Sequence, residues 1–359
     1  MRDGFRRIVI LAEGHLSPLG SKTANCVIRF APQNVVAVLD STNGGRRVAD
    51  ILGYGGDIPV VASIDEGLRY EPDALLIGIA PPGGGIEPSW RPLIAKAINA
   101  DLNVASGLHV FLDEDPEFKG FARSRGIKLW DLRRPPDNIP LTAGGRNRVQ
   151  ATIVLVSGSD CDVGKMTTSF LLASGLEEKG IRAVVAPTGQ TSIFLKGHGI
   201  PLDRIISDFI TGATELLIAE TNEKFEPEVI LVEGQGTLLH PVYGAVAMGI
   251  LQGARPDAIV MCHEPGRQRY LHFEDKIPDI KDIVGIHEKL SGYLKPARVI
   301  GLSLCAPESA SGIAPETALD LECRLNLPAE DLVTQGTSKL TGAIMEAMKG
   351  RHSHAFRKE

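Results

Sequence analysis

Short apolar runs alternate with helical or glycine-rich segments along the first third of the chain. The runs predict strands, at residues 8–11, 35–39, 59–62, 74–79, 102–105 and 127–130. Helices are best supported at residues 90–100 and 116–125. This alternation predicts an α/β, Rossmann-like domain with a parallel sheet. Because residues 14–20 after the first strand do not match GxGxxG, a NAD site is not indicated.

The clearest pattern of the chain is a strand, a glycine-rich loop and a helix at residues 151–170. An apolar β-branched run ends at Gly158, Gly164 and Lys165 come next, and an apolar helical pattern begins at Phe170. Loop amides and a helix N-terminus converge on anionic oxygen, and a lysine adds a mobile positive charge. The order therefore predicts a phosphate-binding loop (P-loop) opening a second parallel-sheet domain; the alternative is a turn that only joins strand to helix.

Two features of this loop depart from the common P-loop. Five residues rather than four separate Gly158 from Gly164. The residue after the lysine, usually a Mg²⁺-binding Ser or Thr, is Met166, whose thioether is a poor ligand for a hard cation. We therefore expect a phosphate site that requires no metal. The predicted cofactor-binding residues are Gly158, Ser159, Asp160, Cys161, Asp162, Val163, Gly164, Lys165, Met166 and Thr167.

Two later strands of the second domain also end in polar residues. The run at residues 228–232 ends in Glu233, where a carboxylate could orient water or take a proton. The alternative is an acid that supports the phosphate loop through a hydrogen bond. The run at 258–262 leads to His263, a candidate base, and to Arg267, a candidate ligand for a carboxylate.

Further polar residues lie at predicted strand ends or in a predicted helix. Small hydroxyl and amide residues at 187–192 follow a strand at 183–186 and suit polar substrate contacts. In the predicted helix at 202–220, Asp208 and Glu215 lie among apolar neighbours, where a solvated position is favoured for an isolated acid. The remaining substrate-binding candidates are Gln190, Thr191, Gly234 and Gln235.

Two loops of the first domain are weaker candidates. Arg46 and Arg47, beside glycines, could hold a carboxylate or phosphate, although two exposed arginines are more often only a solvated surface. The loop at 80–85 could face a ligand but equally fits a rigid turn. Three prolines in residues 131–140 break the pattern, so we predict domains at 1–135 and 151–350, a linker at 136–150 and a basic tail at 351–359.

Composition narrows the classes of partner. The 359 residues are 43% hydrophobic and 23% charged, and the net charge of −6 argues against nucleic acid. No uncharged apolar run approaches the roughly 18 residues of a membrane span, and the N-terminus lacks the apolar core of a signal peptide. Five cysteines without a CxxC pair indicate neither a disulfide framework nor a zinc ribbon. We expect a cytoplasmic homo-oligomer with a small-molecule substrate.

Taken together, several segments resemble the P-loop family that includes the D-glutamate N-acetyltransferases (DgcN type). The resemblance covers nearly the whole chain, and dethiobiotin synthetase is a more distant relative. In the second domain it rests on residues 158–168, 187–191, 207–209, 232–236 and 263–267. In the first domain it rests on residues 74–84, 106–109 and 131–136.

This resemblance implies an enzyme that transfers the acetyl group of acetyl-CoA to the amine of a D-amino acid, D-glutamate first. On this interpretation Glu233 and Asp208 are the leading candidate bases, and His263 is the third. Arg267, with Arg46 or Arg47, would pair with the carboxylates of the substrate. The alternatives are an ATP-dependent ligase or kinase, which Met166 disfavours, and a nucleotide-gated regulatory protein.

Overall fold

The computed structural model describes residues 1–18, 20–79, 81, 83–144, 149–306 and 312–355, without the side chains of 351–355. The predicted loop at 80–85, linker at 136–150 and tail at 351–359 therefore lie partly outside the described residues. The chain divides into two units. The first contains Met1–Arg134 and Gln190–Pro201, and the second contains Pro135–Gly189 and Leu202–Glu359.

The first unit is built on a six-stranded parallel sheet with the strand order β3-β2-β1-β4-β5-β6. Because helices cover both faces of such a sheet, its strands are mostly apolar, and all of Ile8–Leu11 is buried. The strands are β1 Ile8–Leu11, β2 Val35–Leu39, β3 Val60–Val61, β4 Ala74–Ile77, β5 Asn103–Ser106 and β6 Leu129–Asp131. The helices are α1 Lys22–Phe30, α2 Ala49–Leu52, α3 Ile64–Leu68, α4 Arg91–Asn99 and α5 Pro116–Arg125.

The second unit has its own six-stranded parallel sheet, with the order β12-β11-β10-β7-β9-β8. Its strands are β7 Thr152–Gly158, β8 Ala183–Ala186, β9 Val229–Glu233, β10 Ala258–His263, β11 Arg298–Leu304 and β12 Ala329–Glu330. Its helices are α6 Lys165–Glu177, α8 Ile210–Phe225, α9 Gly244–Ala254, α10 Ile280–Leu294, α11 Pro315–Leu325 and α12 Ser338–Ala355. The predicted class, a Rossmann-like unit followed by a P-loop unit, is confirmed.

The register of the second sheet brings three polar strand ends to one edge. The central strand β7 pairs with β9 on one side and β10 on the other. In these ladders Val156 is opposite Glu233, and Gly158 is opposite Cys262, the neighbour of His263. Ligands of parallel sheets bind at the carboxyl ends of the strands, so this edge is the expected position of a site.

One short helix of the first unit comes from the middle of the sequence. Residues Gln190–Lys196 form helix α7, which the sequence analysis had assigned to the P-loop domain. Its Phe194 is fully buried, and its ring centroid lies 5.6 Å from Trp130 and 6.3 Å from Phe5. Thr191 shares a buried hydrogen bond of 3.1 Å with Thr23. These contacts fix the helix to the first unit.

The predicted linker is held against helix α8 over part of its length. Glu215 is buried rather than solvated, and its Oε2 accepts hydrogen bonds from the hydroxyl of Thr142 (2.7 Å) and the amides of Ala143 (2.7 Å) and Gly144 (3.0 Å). A side chain at Gly212 would lie 1.9 Å from the carbonyl oxygen of Pro140, so only glycine allows this approach. Residues 145–148 lie outside the described ranges.

Helix α10 is joined to the strand of the phosphate loop by a buried histidine. His287 Nδ1 lies 2.8 Å from the carbonyl oxygen of Ile283, which can only accept, so Nδ1 carries the proton. Nε2 therefore accepts from the Ser157 hydroxyl at 2.8 Å. Burial lowers the pKa of His287 to about 4.

No helix in the described part of the chain combines the length and the apolar composition that a bilayer span requires.

The buried His287 predicts a loss of stability in mild acid. In the unfolded chain His287 is protonated near pH 6.5, whereas in the folded protein it is protonated only near pH 4. The free energy of unfolding therefore decreases as the pH falls through this window. One such group contributes about 2 kcal/mol between pH 7 and pH 5. Urea unfolding at the two pH values should show this difference shrinking in His287→Gln. The same difference in parent and variant would contradict the prediction; His272→Asn, at an exposed position, is the control.

Candidate phosphate-loop site

The loop between β7 and α6 depends on two glycines for different reasons. A Cβ at Gly158 would lie 2.8 Å from the side chain of Val163 and 3.2 Å from Lys165, so no side chain fits there. Gly164 has φ +85°, in the left-handed region that glycine adopts at no steric cost. Asp162 is left-handed as well, at φ +54°. The loop thus curls over the end of β7 before the helix begins.

The first turn of α6 presents Lys165 to the loop. The helix begins at this buried residue, and its Nζ donates a hydrogen bond of 2.6 Å to the carbonyl oxygen of Asp160. Met166 and Thr167 follow and are half-buried. The next hydroxyl, that of Thr168, is 2.7 Å from the Ser303 hydroxyl on β11. The first turn therefore offers a cation but has a thioether at the position where P-loops usually bind Mg²⁺.

Asp160 has a fully buried carboxylate that joins the loop to residues 264–273, which we call the roof segment. Its Oδ1 accepts from the amide of Cys161 at 2.6 Å. Its Oδ2 accepts from Arg267 Nη1 at 3.0 Å and from the amide of Leu271 at 2.8 Å. Arg267 also donates to the Cys161 carbonyl oxygen at 2.8 Å and to Glu264. Protein acceptors thus already engage the guanidinium that was predicted to bind substrate.

His240 lies beside this carboxylate, in the segment between β9 and α9. Its Nδ1 accepts hydrogen bonds from the amides of Val242 (3.1 Å) and Tyr243 (3.2 Å). Its ring is packed against three aromatic rings, with centroid distances of 4.7 Å to Tyr243, 5.0 Å to Tyr270 and 5.1 Å to Phe273. Nε2 is buried, has no hydrogen-bond partner among the described residues, and lies 3.7 Å from Asp160 Oδ1.

On the other side of the loop, His263 contacts Ser159. Its Nδ1 lies 2.9 Å from the Ser159 hydroxyl. Burial, chiefly, lowers the pKa of His263 to about 4, so its imidazole is neutral near pH 7. The ring also lines a cavity of about 420 Å³, whose charged lining residues are Arg267, Lys276, Asp279, Asp320 and Arg324. A neutral base therefore faces a cavity that has cations in its wall.

Glu233 supports the loop after β8. Its Oε2 accepts from the amides of Thr188 (2.9 Å) and Gly189 (3.2 Å), and its backbone oxygen accepts from the Thr188 hydroxyl at 2.9 Å. Gln235 Nε2 donates to the same hydroxyl at 2.9 Å. These hydrogen bonds of Glu233 thus support residues 188–189.

Four other predicted site residues lie in elements of the chain outside β7, the phosphate loop and α6. Asp208 is exposed, in the single turn before α8, and no described residue makes a hydrogen bond or ion pair with its side chain. Gln190 and Thr191 belong to helix α7 of the first unit. Arg46 is exposed and donates to Asn43 and to the carbonyl oxygen of Asp50 within its own unit. The substrate-binding and catalytic roles of these residues stay predictions.

Gly234 allows the backbone to pass close to Val156, and its amide is already used in a hydrogen bond. Its N–H donates to the carbonyl oxygen of Val156 at 2.9 Å, and a Cβ there would lie 2.4 Å from that oxygen.

His240 and Tyr270, which the structure brings to the loop, were not predicted from the sequence. A histidine in the glycine-rich segment after β9 was the available signal, but its burial depends on residues some 30 positions later.

Fold and site define a two-unit α/β protein whose second unit carries a P-loop without the usual Mg²⁺ ligand. A family model described as the P-loop domain of DUF1611 matches residues 141–341, and one described as the Rossmann-like domain DUF1611_N matches residues 41–135. The chain belongs to the DUF1611 family. A crystal structure of a DUF1611 family protein from Anabaena variabilis is 29% identical, with a TM-score of 0.89, and the match covers 95% of this chain and 99% of that one.

Two curated relatives are similar over most of their length. One, from Tritonibacter scottomollicae, is 31% identical over 284 residues, which are 79% of this chain and 84% of the relative. The other, from a Pseudoalteromonas species, is 30% identical over 286 residues, with the same coverage. Both carry the name D-glutamate N-acetyltransferase.

The bonds of Asp160 predict that its charge orders the roof segment. In Asp160→Asn the amide keeps one acceptor oxygen but loses the ion pair with Arg267, so residues 264–273 should open more often. Hydrogen exchange of peptides from this segment should accelerate about tenfold, which corresponds to about 1.4 kcal/mol. Asp162→Asn is the matched control, because Asp162 is an exposed acid of the same loop. Equal exchange in both variants would show that Asp160 does not order the segment.

Proposed function

We propose that this protein transfers the acetyl group of acetyl-CoA to the amine of D-glutamate. The observation that carries the proposal is the similarity to two relatives named D-glutamate N-acetyltransferase, at 31% and 30% identity over 79% of the chain. The names of these relatives do not include the donor, and acetyl-CoA in this role is part of our proposal. It is supported by a phosphate-binding loop in which one cation, Lys165, and a helix N-terminus meet. A cytoplasmic location and a homo-oligomeric state stay predictions of the sequence.

We propose further that the phosphates of coenzyme A are bound without a metal ion. Met166 occupies the position of the usual hydroxyl ligand. Asp160, Cys161 and His240 do bring potential metal ligands within 4.8 Å of one another. However, the two amides that donate to His240 Nδ1 leave the proton on Nε2, and an N–H cannot ligate a cation. Amides and Lys165 suffice for phosphate oxygen.

The cavity beside His263 offers one cation to a carboxylate of the acceptor. Lys276 is exposed at its rim and forms no ion pair among the described residues, so its ammonium can pair with a ligand. Arg324 also lines the cavity, although it already pairs with Asp279 at 2.8 Å and with Asp320 at 3.8 Å. A dicarboxylate such as glutamate would add negative charge beside His263, and this charge raises the pKa of an imidazole.

We propose that His263 is the base that accepts the proton of the acceptor amine. Attack on a thioester needs an unprotonated amine, so a base must take this proton. His263 is neutral, lines the cavity and contacts Ser159 of the phosphate loop. Glu233 is buried and its Oε2 serves two amides, and Asp208 is exposed without a bonding partner, so both fit the role of base less well.

The activity itself is tested by thiol release. Parent protein, acetyl-CoA and D-glutamate should yield coenzyme A and N-acetyl-D-glutamate in equal amounts, and L-glutamate should react more slowly. Addition of EDTA should leave the rate unchanged, because no step of the proposal uses a metal. Mg-ATP without acetyl-CoA should give no product. The absence of thiol release with any D- or L-amino acid would exclude the proposal, and activity that needs Mg-ATP would favour the ligase alternative.

Variants of the three candidate bases should separate their roles. In His263→Asn the amide can keep the contact with Ser159, while the distal nitrogen is lost; kcat should fall roughly 100-fold or more, with coenzyme A affinity retained. Asp208→Asn should keep the parental kcat. Glu233→Gln should change the exchange of residues 188–189 more than the rate. A kcat lost in Glu233→Gln and kept in His263→Asn would assign the proton to Glu233 instead.

A further inference from the structure

Among the buried polar atoms that have no hydrogen-bond partner in the described part of the chain, two lie in neighbouring rings near the phosphate loop, and a third, the Thr237 hydroxyl, belongs to the same segment as His240. The two ring atoms are Nε2 of His240 and the hydroxyl oxygen of Tyr270, in rings whose centroids are 5.0 Å apart. His240 is 4% exposed and Tyr270 is 4% exposed. A buried polar atom without a partner costs about 1–3 kcal/mol, so two neighbouring ones indicate a place where a ligand supplies the missing bond.

Local hydrogen bonds decide what kind of ligand atom fits. Because the amides of Val242 and Tyr243 both donate to His240 Nδ1, this nitrogen accepts, and the proton of the neutral ring is on Nε2. Burial lowers the pKa of His240 and raises the pKa of Tyr270, which keeps the imidazole neutral and the hydroxyl protonated. Both groups can therefore donate, and the partner they lack is an acceptor such as an oxygen atom.

The surroundings favour a carbonyl oxygen over a phosphate oxygen. Both donors are neutral, and the Asp160 carboxylate lies 3.7 Å from His240 Nε2, with its other oxygen paired to Arg267 at 3.0 Å. Its remaining negative charge disfavours a phosphate, which is anionic throughout, more than a carbonyl oxygen, which is neutral when it binds. The rings of Tyr243 and Phe273 pack against His240 and lower the local dielectric, which strengthens a hydrogen bond to an oxygen that gains charge only during reaction.

We propose that the Nε2–H of His240 and the hydroxyl of Tyr270 donate hydrogen bonds to the carbonyl oxygen of a bound acyl thioester. This inference rests on the acetyl transfer proposed above. When the amine nitrogen attacks the carbonyl carbon, a C–N bond forms, the π-electron pair moves to this oxygen, and the two donors stabilise its negative charge. The C–S bond then breaks, the thiolate leaves as coenzyme A, and the amine proton goes to the base.

Tyr270→Phe separates a ligand contact from a structural role. The lost hydroxyl has no described protein partner, so its removal should leave the melting temperature unchanged or raise it. If it binds the carbonyl oxygen, kcat should fall by roughly 10- to 100-fold while the affinity for coenzyme A stays the same. Tyr293→Phe, on an exposed tyrosine of α10, is the matched control and should keep the parental kcat.

His240→Asn and His240→Gln test the imidazole donor. The asparagine oxygen can take the place of Nδ1 and accept from Val242 and Tyr243 but leaves nothing at Nε2, so kcat should fall roughly 100-fold. The glutamine amide reaches the position of Nε2 and should restore part of this loss. A purely supporting role beside Asp160 would instead weaken coenzyme A binding in both variants, and parental kcat in His240→Asn and Tyr270→Phe would overturn the proposal.

Nitrogen NMR of the His240 ring tests, independently of turnover, whether Nε2–H donates a hydrogen bond to the acyl carbonyl oxygen. A ketone analogue of acetyl-CoA keeps the acetyl carbonyl but cannot transfer the acetyl group, whereas coenzyme A has the same pantetheine amides but lacks the acetyl carbonyl. The Nε2–H resonances should shift with the analogue and not with coenzyme A. Equal shifts with both, or none with the bound analogue, would overturn the hydrogen bond. If the parent transfers no acetyl group, the proposed function fails, while this spectrum still tests the donor.

Discussion

The carboxylate of Asp160 is the interaction on which the site depends. It is fully buried, and three donors satisfy it from two separate parts of the chain: the next amide of its own loop, and Arg267 and Leu271 of the roof segment. A buried charge is stable only when it is paired and hydrogen-bonded. The bonds of Asp160 to Arg267 and Leu271 therefore hold the roof segment against the phosphate loop. The same arrangement packs Tyr270 and Phe273 against His240.

Three histidines around this loop are kept neutral by burial, but their hydrogen bonds give them different chemistry. His287 donates to a carbonyl and accepts from Ser157, so both nitrogens serve the fold. His263 uses one nitrogen on Ser159 and lines a cavity. His240 accepts hydrogen bonds from two amides on one nitrogen, and the proton on its other nitrogen has no hydrogen-bond partner among the described residues. Partners, rather than residue type, thus separate a structural histidine from a candidate base and a candidate donor.

The features that could be predicted from the sequence are those that depend on residues close together along the chain. The strand, the two glycines and Lys165 lie within one short stretch, so the phosphate loop was recognisable, and the alternation of strands and helices predicted both sheets. Glu233 was also correctly expected at the edge that holds the loop. Long-range packing was beyond such reasoning. Nothing in residues 190–196 says that Phe194 packs with Phe5 and Trp130, and nothing near Glu215 says that it binds residues 142–144.

The absence of a hydroxyl after Lys165 acquires a physical meaning beside the rest of the site. Phosphoryl transfer spreads charge over several oxygens, and P-loop enzymes neutralise it with a Mg²⁺ held at that position. Thioester aminolysis concentrates charge on a single oxygen, for which one or two fixed donors are enough. Here Met166 takes the metal-ligand position, while His240 and Tyr270 bring two neutral donors together beside the same loop. The proposed contacts, phosphate at the loop and a carbonyl oxygen at His240 and Tyr270, are the combination that acyl transfer from an acyl-coenzyme A requires.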